Sequence, residues 1–256
     1  MNAFDQLDRP PRRVLTIFFL IDTSGSMYGT KIAAVNTALQ ETIPIIAEIS
    51  NTNPDAEIKI AAMDFSTDCQ WMYDEPQSAE GFQWLTIEAS GLTQLGAACE
   101  ELNNKLSHSH GFMNEASGSY APVIILLSDG EPTDNYEYGL ARLKQNNWYK
   151  AAAAKLAIAI GDDANKNVLT DFTGGNSECV MTVHNIPQLK SLIRTVSVTA
   201  SKVASKGASV GLGAPDTKAE EVQQQIQEAI DDDPTLKGID KGNSTDNAGT
   251  DDWTGW

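Results

Sequence analysis

At 256 residues the chain can hold one large domain, or a domain with an appendage, and 41% hydrophobic content is enough for a real core. A net charge of −17 excludes direct binding to nucleic acid or to an anionic membrane, since both need a basic footprint. The charge is uneven: Asp216 to Trp256 holds eleven acidic residues and three lysines, a net −8.

Residues 1–12 read as an exposed lead-in, in which Pro10-Pro11 blocks regular pairing. The apolar run Val14–Ile21 follows, with no polar alternation except Thr16 and rich in β-branched and aromatic residues, as suits a strand buried on both faces of a parallel sheet. It is too short to span a membrane and leads into a polar loop, so it reads as neither signal peptide nor anchor. A helix is expected from Thr30 to about Ser50, its apolar residues at near-helical spacing, with Pro44 bending or dividing it. A second strand is expected over Glu57–Phe65, and short edge strands at Trp71–Tyr73 or Phe82–Leu85. A helix from about Leu95 to Ser107 comes next, then a doubly buried strand, Ala121–Ser128, that stops at Asp129-Gly130-Glu131-Pro132-Thr133-Asp134.

Further elements are expected at Tyr136–Asn146 (helix), Lys155–Ile160 (strand), Asn165–Phe172 (helix), Val180–Val183 (strand) and Ile186–Lys202 (helix). This alternation predicts an α/β fold, a doubly wound, mostly parallel six-stranded sheet with helices on both faces and one antiparallel edge strand. The domain is expected over residues 13–205. Residues 206–256 are expected to form an acidic, largely disordered tail, apart from one polar helix near Lys218–Ile230, because so few apolar residues cannot offset chain entropy.

The chemistry concentrates in the loop after the first strand. Asp22, Ser24 and Ser26 offer a carboxylate and two hydroxyls at alternate positions, so their oxygens can converge on one point. Oxygen-only ligation suits a hard cation such as Mg2+ rather than zinc. Such a loop, at the carboxyl end of a central parallel strand, is where open α/β sheets bind ligands.

Asp22-Thr23-Ser24-Gly25-Ser26 resembles the D-x-S-x-S signature of von Willebrand factor A (VWA) domains, whose metal-ion-dependent adhesion site (MIDAS) binds a divalent cation. The resemblance covers approximately Val14 to Ala204 and implies a Rossmann-like VWA fold. That family also takes a threonine from a second loop and an aspartate from a third. Thr93 in Gly-Leu-Thr-Gln-Leu-Gly and Asp129 in Ser-Asp-Gly match them, in the expected order. The resemblance therefore implies a metal site of Asp22, Ser24, Ser26, Thr93 and Asp129, holding Mg2+ (or Mn2+ or Ca2+). Mg2+ takes six oxygens at about 2.0–2.1 Å. With only two acids on the ion, a partner protein's Asp or Glu is expected to complete the site, so the mechanism is binding rather than turnover.

Each piece alone has a plainer reading. Ser24, Gly25 and Ser26 are turn and helix-capping residues, Asp129-Gly130 is a turn, and Thr93 is an N-cap. Asp64, Asp68, Glu131 and Asp134 are expected at the rim or capping a helix, and Lys31 and Lys166 in solvent. His108 and His110 lie in a polar stretch that reads as an exposed loop, His184 is distant in sequence, and the third nearby ligand that a zinc site wants is not evident. There is no phosphate-binding Gly-x-x-x-x-Gly-Lys element and no Gly-x-Ser-x-Gly elbow. The enzyme alternative is a Mg-dependent phosphohydrolase of the haloacid-dehalogenase type with Asp22 as nucleophile. Such enzymes want an acid two residues later, where this chain has Ser24.

Within the family the closest resemblance is to the compact bacterial subgroup related to the tellurium-resistance protein TerY, through Ile21–Met27, Gly91–Gly96 and Leu127–Asp134. It implies a scaffold or regulator in a stress-response or phage-related system, with kinase-like and phosphatase-like partners. Cys69, Cys99 and Cys179 are odd in number and widely spaced, which favours reduced thiols and a cytoplasmic location. The tail reads as a solubility segment, a docking peptide, or an internal acidic competitor for the metal.

Overall fold

The computed structural model describes residues 11–204 and 217–242. In chain order it contains β1 (Arg13–Asp22), α1 (Thr30–Thr52), β2 (Ala56–Phe65), β3 (Cys69–Trp71), β4 (Gln77–Ser78) and α2 (Leu95–Lys105). These are followed by β5 (Val123–Ser128), α3 (Tyr136–Leu143), α4 (Asn147–Lys150), β6 (Ala154–Ile160) and α5 (Lys166–Phe172). The last elements are β7 (Val180–Val183), α6 (Ile186–Ala204), α7 (Lys218–Asp232) and β8 (Asp240–Lys241).

The sheet forms around β1, which is buried from Val14 to Asp22. Its whole length pairs in parallel with β2, from Arg13 beside Ala56 to Asp22 beside Phe65. Its other edge pairs in parallel with β5, from Ile17 beside Val123 to Ile21 beside Leu127. The full order is β3-β2-β1-β5-β6-β7-β8, with β4 also pairing β2. Side chains alternate between two cores. Leu15, Ile17, Phe19 and Ile21 meet the apolar faces of α1 and α6, while Phe18 and Leu20 meet those of α2 and α3. With both faces covered, the strand has no solvated side, which is why its sequence shows no polar alternation.

The parallel α/β architecture is as expected, but eight strands form among the described residues rather than six. Five run parallel; β3, β4 and β8 are short antiparallel pieces. Phe82–Leu85 is not a strand. That segment is held by α1 instead, where Asn36 Oδ1 accepts from Trp84 Nε1 (2.9 Å) and from the Ile87 amide (3.0 Å). Nor does Pro44 divide α1, which runs unbroken. Pro44 and Gln40 both face solvent, so the carbonyl that loses its donor can turn to water.

The expectation for the tail needs correction over 217–242. Thr217 closes a capping box on α7 with Glu220, and Val222, Ile226 and Ile230 are buried against the α6 side of the core. Leu236 and Ile239 join the same core, and β8 pairs with β7, placing Thr182 beside Asp240. The chain past Asp231 thus carries just enough apolar surface to dock when the sheet edge is there to receive it. Residues 205–216 and 243–256, including Trp253 and Trp256, lie outside the described residues, as do residues 1–10 of the lead-in. Arg12, expected in that lead-in, caps the end of α1 through the carbonyls of Ser50 (2.6 Å) and Asn53 (2.9 Å).

Candidate metal centre

β1 and β5 are adjacent, so the loops leaving their carboxyl ends start side by side, at the point where the strand order reverses around β1. Asp22 closes β1 and is buried. Its Oδ1 accepts from the Ser24 amide (2.8 Å), an Asx turn that swings the chain out of the strand. Its Oδ2 accepts from Ser128 Oγ at 2.6 Å, joining the two strand ends. Gly25–Met27 make one 3-10 turn, anchored by the buried Met27. The turn sets Ser24 Oγ 3.0 Å from Ser26 Oγ, and Ser26 Oγ donates to Asp129 Oδ1 at 2.7 Å.

Among the described residues no strand leads into the loop of Thr93. The segment is stitched in place by backbone bonds from both neighbours. The Ser90 amide donates to Thr23 O (2.7 Å), Gly25 to Gly91 O (3.1 Å) and Thr133 to Thr93 O (2.8 Å). Gly91 has φ +80°, and a Cβ there would lie 2.5 Å from Thr67 Oγ1, so only glycine fits this turn. Asp134 accepts from the Gly96 and Ala97 amides, both at 3.1 Å, and so caps α2 as expected.

The five residues predicted for the site come to one place. A Cβ built on Gly130 would stand 3.2 Å from Ser26 Oγ, 3.6 Å from Thr93 Oγ1 and 3.9 Å from Asp22 Oδ2. Oxygens from the first two loops therefore face a cradle left by the missing side chain on the third. Ser24 and Asp129 join it through Ser26. Only oxygen atoms face this space from the five residues, a donor set that fits a hard divalent ion.

Burial is the largest influence on Asp22 and raises its pKa above the usual carboxylate range; hydrogen bonds from Ser128 and Ser24 oppose it, and Asp129 adds to it. Lys31, expected in solvent, is instead part of the site. Its Nζ lies 2.7 Å from Asp129 Oδ2 and 3.4 Å from Asp163 Oδ1. Burial works against its charge, but the hydrogen bond and charge of Asp129 outweigh it and raise the lysine above its ordinary pKa. Sequence reading missed Lys31, Asp163 and Ser128. A lysine two residues past the turn glycine Gly29, on the first turn of α1, is the one local signal for the first of them. Lys166 is likewise not in solvent: its side chain lies mostly buried beside Asp240.

The fold is a doubly wound α/β domain, with an oxygen-lined cradle at its switch point as the candidate metal centre. The family model of the von Willebrand factor type A domain matches residues 16–195. The chain belongs to that family. A comparison with curated proteins finds no match. Similar solved structures include a von Willebrand factor type A protein from Catenulispora acidiphila, at 17% identity and TM-score 0.54 over 74% of this chain and 43% of that one. The ArnB paralog VWA2 from Sulfolobus acidocaldarius shares 20% identity at TM-score 0.51, over 71% of this chain and 44% of that one. Proximal thread matrix protein 1 from the mussel byssus, solved with a zinc-occupied MIDAS motif, shares 15% identity at TM-score 0.56, over 75% and 48%. The chain thus spans less than half the length of these relatives, and at such identities they speak for the fold alone.

Proposed function

We propose that this domain is a metal-dependent protein-binding module, with Asp22, Ser24, Ser26, Thr93 and Asp129 as the residues that hold a divalent ion. The observation that carries the reading is the cradle at Gly130, which oxygens from separate loops face at 3.2–3.9 Å. When bound, the ion supplies a Lewis-acidic centre that an incoming carboxylate can join. The ion is Mg2+ under cellular supply, with Mn2+ or Ca2+ as substitutes; the zinc-occupied motif of the mussel protein supports divalent binding without selecting the ion.

The rim supports a protein as the partner. Tyr28, beside the first loop, is 80% exposed, and Leu92, in the second, is 53% exposed. Large exposed apolar side chains flanking a polar centre are the composition of an interaction surface. A partner that places an Asp or Glu at the centre and apolar residues against Tyr28 and Leu92 fits both features.

The finer reading follows the motifs shared with the TerY-related subgroup: a cytoplasmic scaffold or regulator in a bacterial stress-response or phage-related system, working with kinase-like and phosphatase-like partners. Three free cysteines are compatible with a reducing compartment, and among the described residues no helix is long and apolar enough to cross a membrane. Turnover is not part of this proposal. Both oxygens of Asp22 are engaged, by the Ser24 amide and by Ser128 Oγ, which leaves it poorly placed as a nucleophile.

The test is capture of partners from the native host by the full chain, with Mg2+ and with chelator, beside a Ser24→Ala/Ser26→Ala variant. The proposal expects proteins that are retained with Mg2+ and lost in both controls. Partners that bind equally in chelator and to the variant would remove the metal from the mechanism.

A further inference from the structure

The same crest of the sheet carries a second cluster, on the β6–β7–β8 side. Asp162 follows β6, His184 follows β7, and Asp240 lies in β8, so three separate elements deliver one group each. His184 Nδ1 is 3.3 Å from Asp162 Oδ1, and His184 Nε2 is 3.5 Å from Asp240 Oδ2. One ligand atom from each residue lies within 4.8 Å of the others. No signal in the sequence joins them, because the third ligand sits in the segment expected to be disordered.

Asp240 is the telling member. Its side chain is 5% exposed. The basic side-chain nitrogens against it are His184 Nε2 at 3.5 Å and Lys166 Nζ at 3.8 Å. A buried carboxylate is costly unless paired and hydrogen-bonded, and charge-assisted bonds close to about 2.7–2.9 Å. The spacings here are longer. The 3.5 Å between His184 Nε2 and Asp240 Oδ2 matches instead the separation of two ligands on one tetrahedral ion, about 3.3–3.6 Å for bonds of about 2.0–2.2 Å; an ion takes only one ring nitrogen, so Asp162, now beside Nδ1, has to swing round to join it.

We propose that Asp162, His184 and Asp240 form a second divalent-metal site, of the zinc class, that fastens the C-terminal strand β8 to the ends of β6 and β7. One imidazole nitrogen with two carboxylate oxygens is a mixed donor set suited to Zn2+, Co2+ or Ni2+, whereas Mg2+ and Ca2+ take oxygen. Asp162, 44% exposed, supplies the mobile ligand and the route of entry. His184 and Asp240 are held by the sheet edge. Lys166 is the local counter-charge of Asp240 that the ion replaces. The inference is independent of the cradle at Gly130, since the two sites share no residue.

The experiment is a zinc titration of the full chain by calorimetry in excess Mg2+, so that an oxygen-only site is already filled. It is run beside Asp129→Ala, Asp162→Asn, His184→Gln and Asp240→Asn variants. The proposal expects one equivalent of Zn2+ bound by the wild type and by Asp129→Ala. Each of the other three variants should lose at least about a hundredfold in affinity, the upper range seen for merely supporting groups. Asp162→Asn changes an exposed residue and keeps the fold, so it stands if a buried variant fails to fold. Co2+ in place of Zn2+ should give visible d–d bands without an intense sulfur charge-transfer band. The proposal is overturned if the wild type binds no zinc in Mg2+, if Asp162→Asn binds it undiminished, or if the cobalt spectrum reports cysteine ligation.

Discussion

Removing the ammonium of Lys31 should tighten divalent-metal binding. In the folded chain this group donates to Asp129 Oδ2 at 2.7 Å, and the side chains are only 15% and 0% exposed. A hydrogen bond to a charged group in such surroundings contributes about 1.5–3 kcal/mol. A dication drawing on the same carboxylate must weaken that bond and also bear the ammonium's repulsion. With every ~1.4 kcal/mol worth tenfold in affinity, Lys31→Met should lower the Kd for Mn2+ by about ten- to a hundredfold. Lys31→Arg, which keeps the charge, should stay close to wild type. Calorimetric titration of Mn2+ into the chelator-stripped protein measures both. Unchanged or weaker binding in Lys31→Met would mean that Lys31 positions Asp129 for the ion rather than competing with it, and the reasoning would fail.

Gly130→Ala should abolish metal binding while leaving the fold intact, because its methyl group would stand 3.2 Å from Ser26 Oγ and face Thr93 and Asp22 as well; Mn2+ titration and circular dichroism read the two effects separately. Ile226→Ala removes a fully buried side chain of α7 and should cost about 2–5 kcal/mol, read as a lower midpoint in urea; a loss under 1 kcal/mol would mean that α7 is not docked in solution. Burial raises Cys69 to about 12 and Cys179 to about 11, with Cys99 raised further by the same cause. Raised thiol pKa values stabilise the fold fully below the unfolded-state value near 8.5, and this contribution is lost as pH climbs through the folded-state values. Urea midpoints should therefore fall steadily above about pH 9, and less so in Cys99→Ala.

The parts of this molecule that could be read in advance are those where chemistry and locality coincide. β1 and β5 announce themselves as near-continuous apolar runs because both faces are covered, and Asp22, Ser24 and Ser26 because their spacing is short and their donor type uniform. Thr93 and Asp129 needed the family pattern, since nothing local distinguishes them from a cap and a turn. Lys31 escaped because its partners, Asp129 and Asp163, are distant in sequence and meet it only across the strand ends. α7 was visible as a helix but not as a docked one, for Val222, Ile226 and Ile230 make a single narrow stripe on a polar surface. Asp240 shows the same limit more sharply. A lone acid in an acidic segment looks solvated until β7 supplies an edge for β8 to join.

The most direct test of the central claim is a crystal structure of the full chain grown with Mn2+, with anomalous differences collected to locate the ion. The account predicts a peak between Ser24, Ser26 and Thr93, against Gly130, with Asp22 and Asp129 around it and Lys31 drawn away from Asp129. A cradle without a peak at millimolar Mn2+, with Lys31 still seated on Asp129, would contradict it.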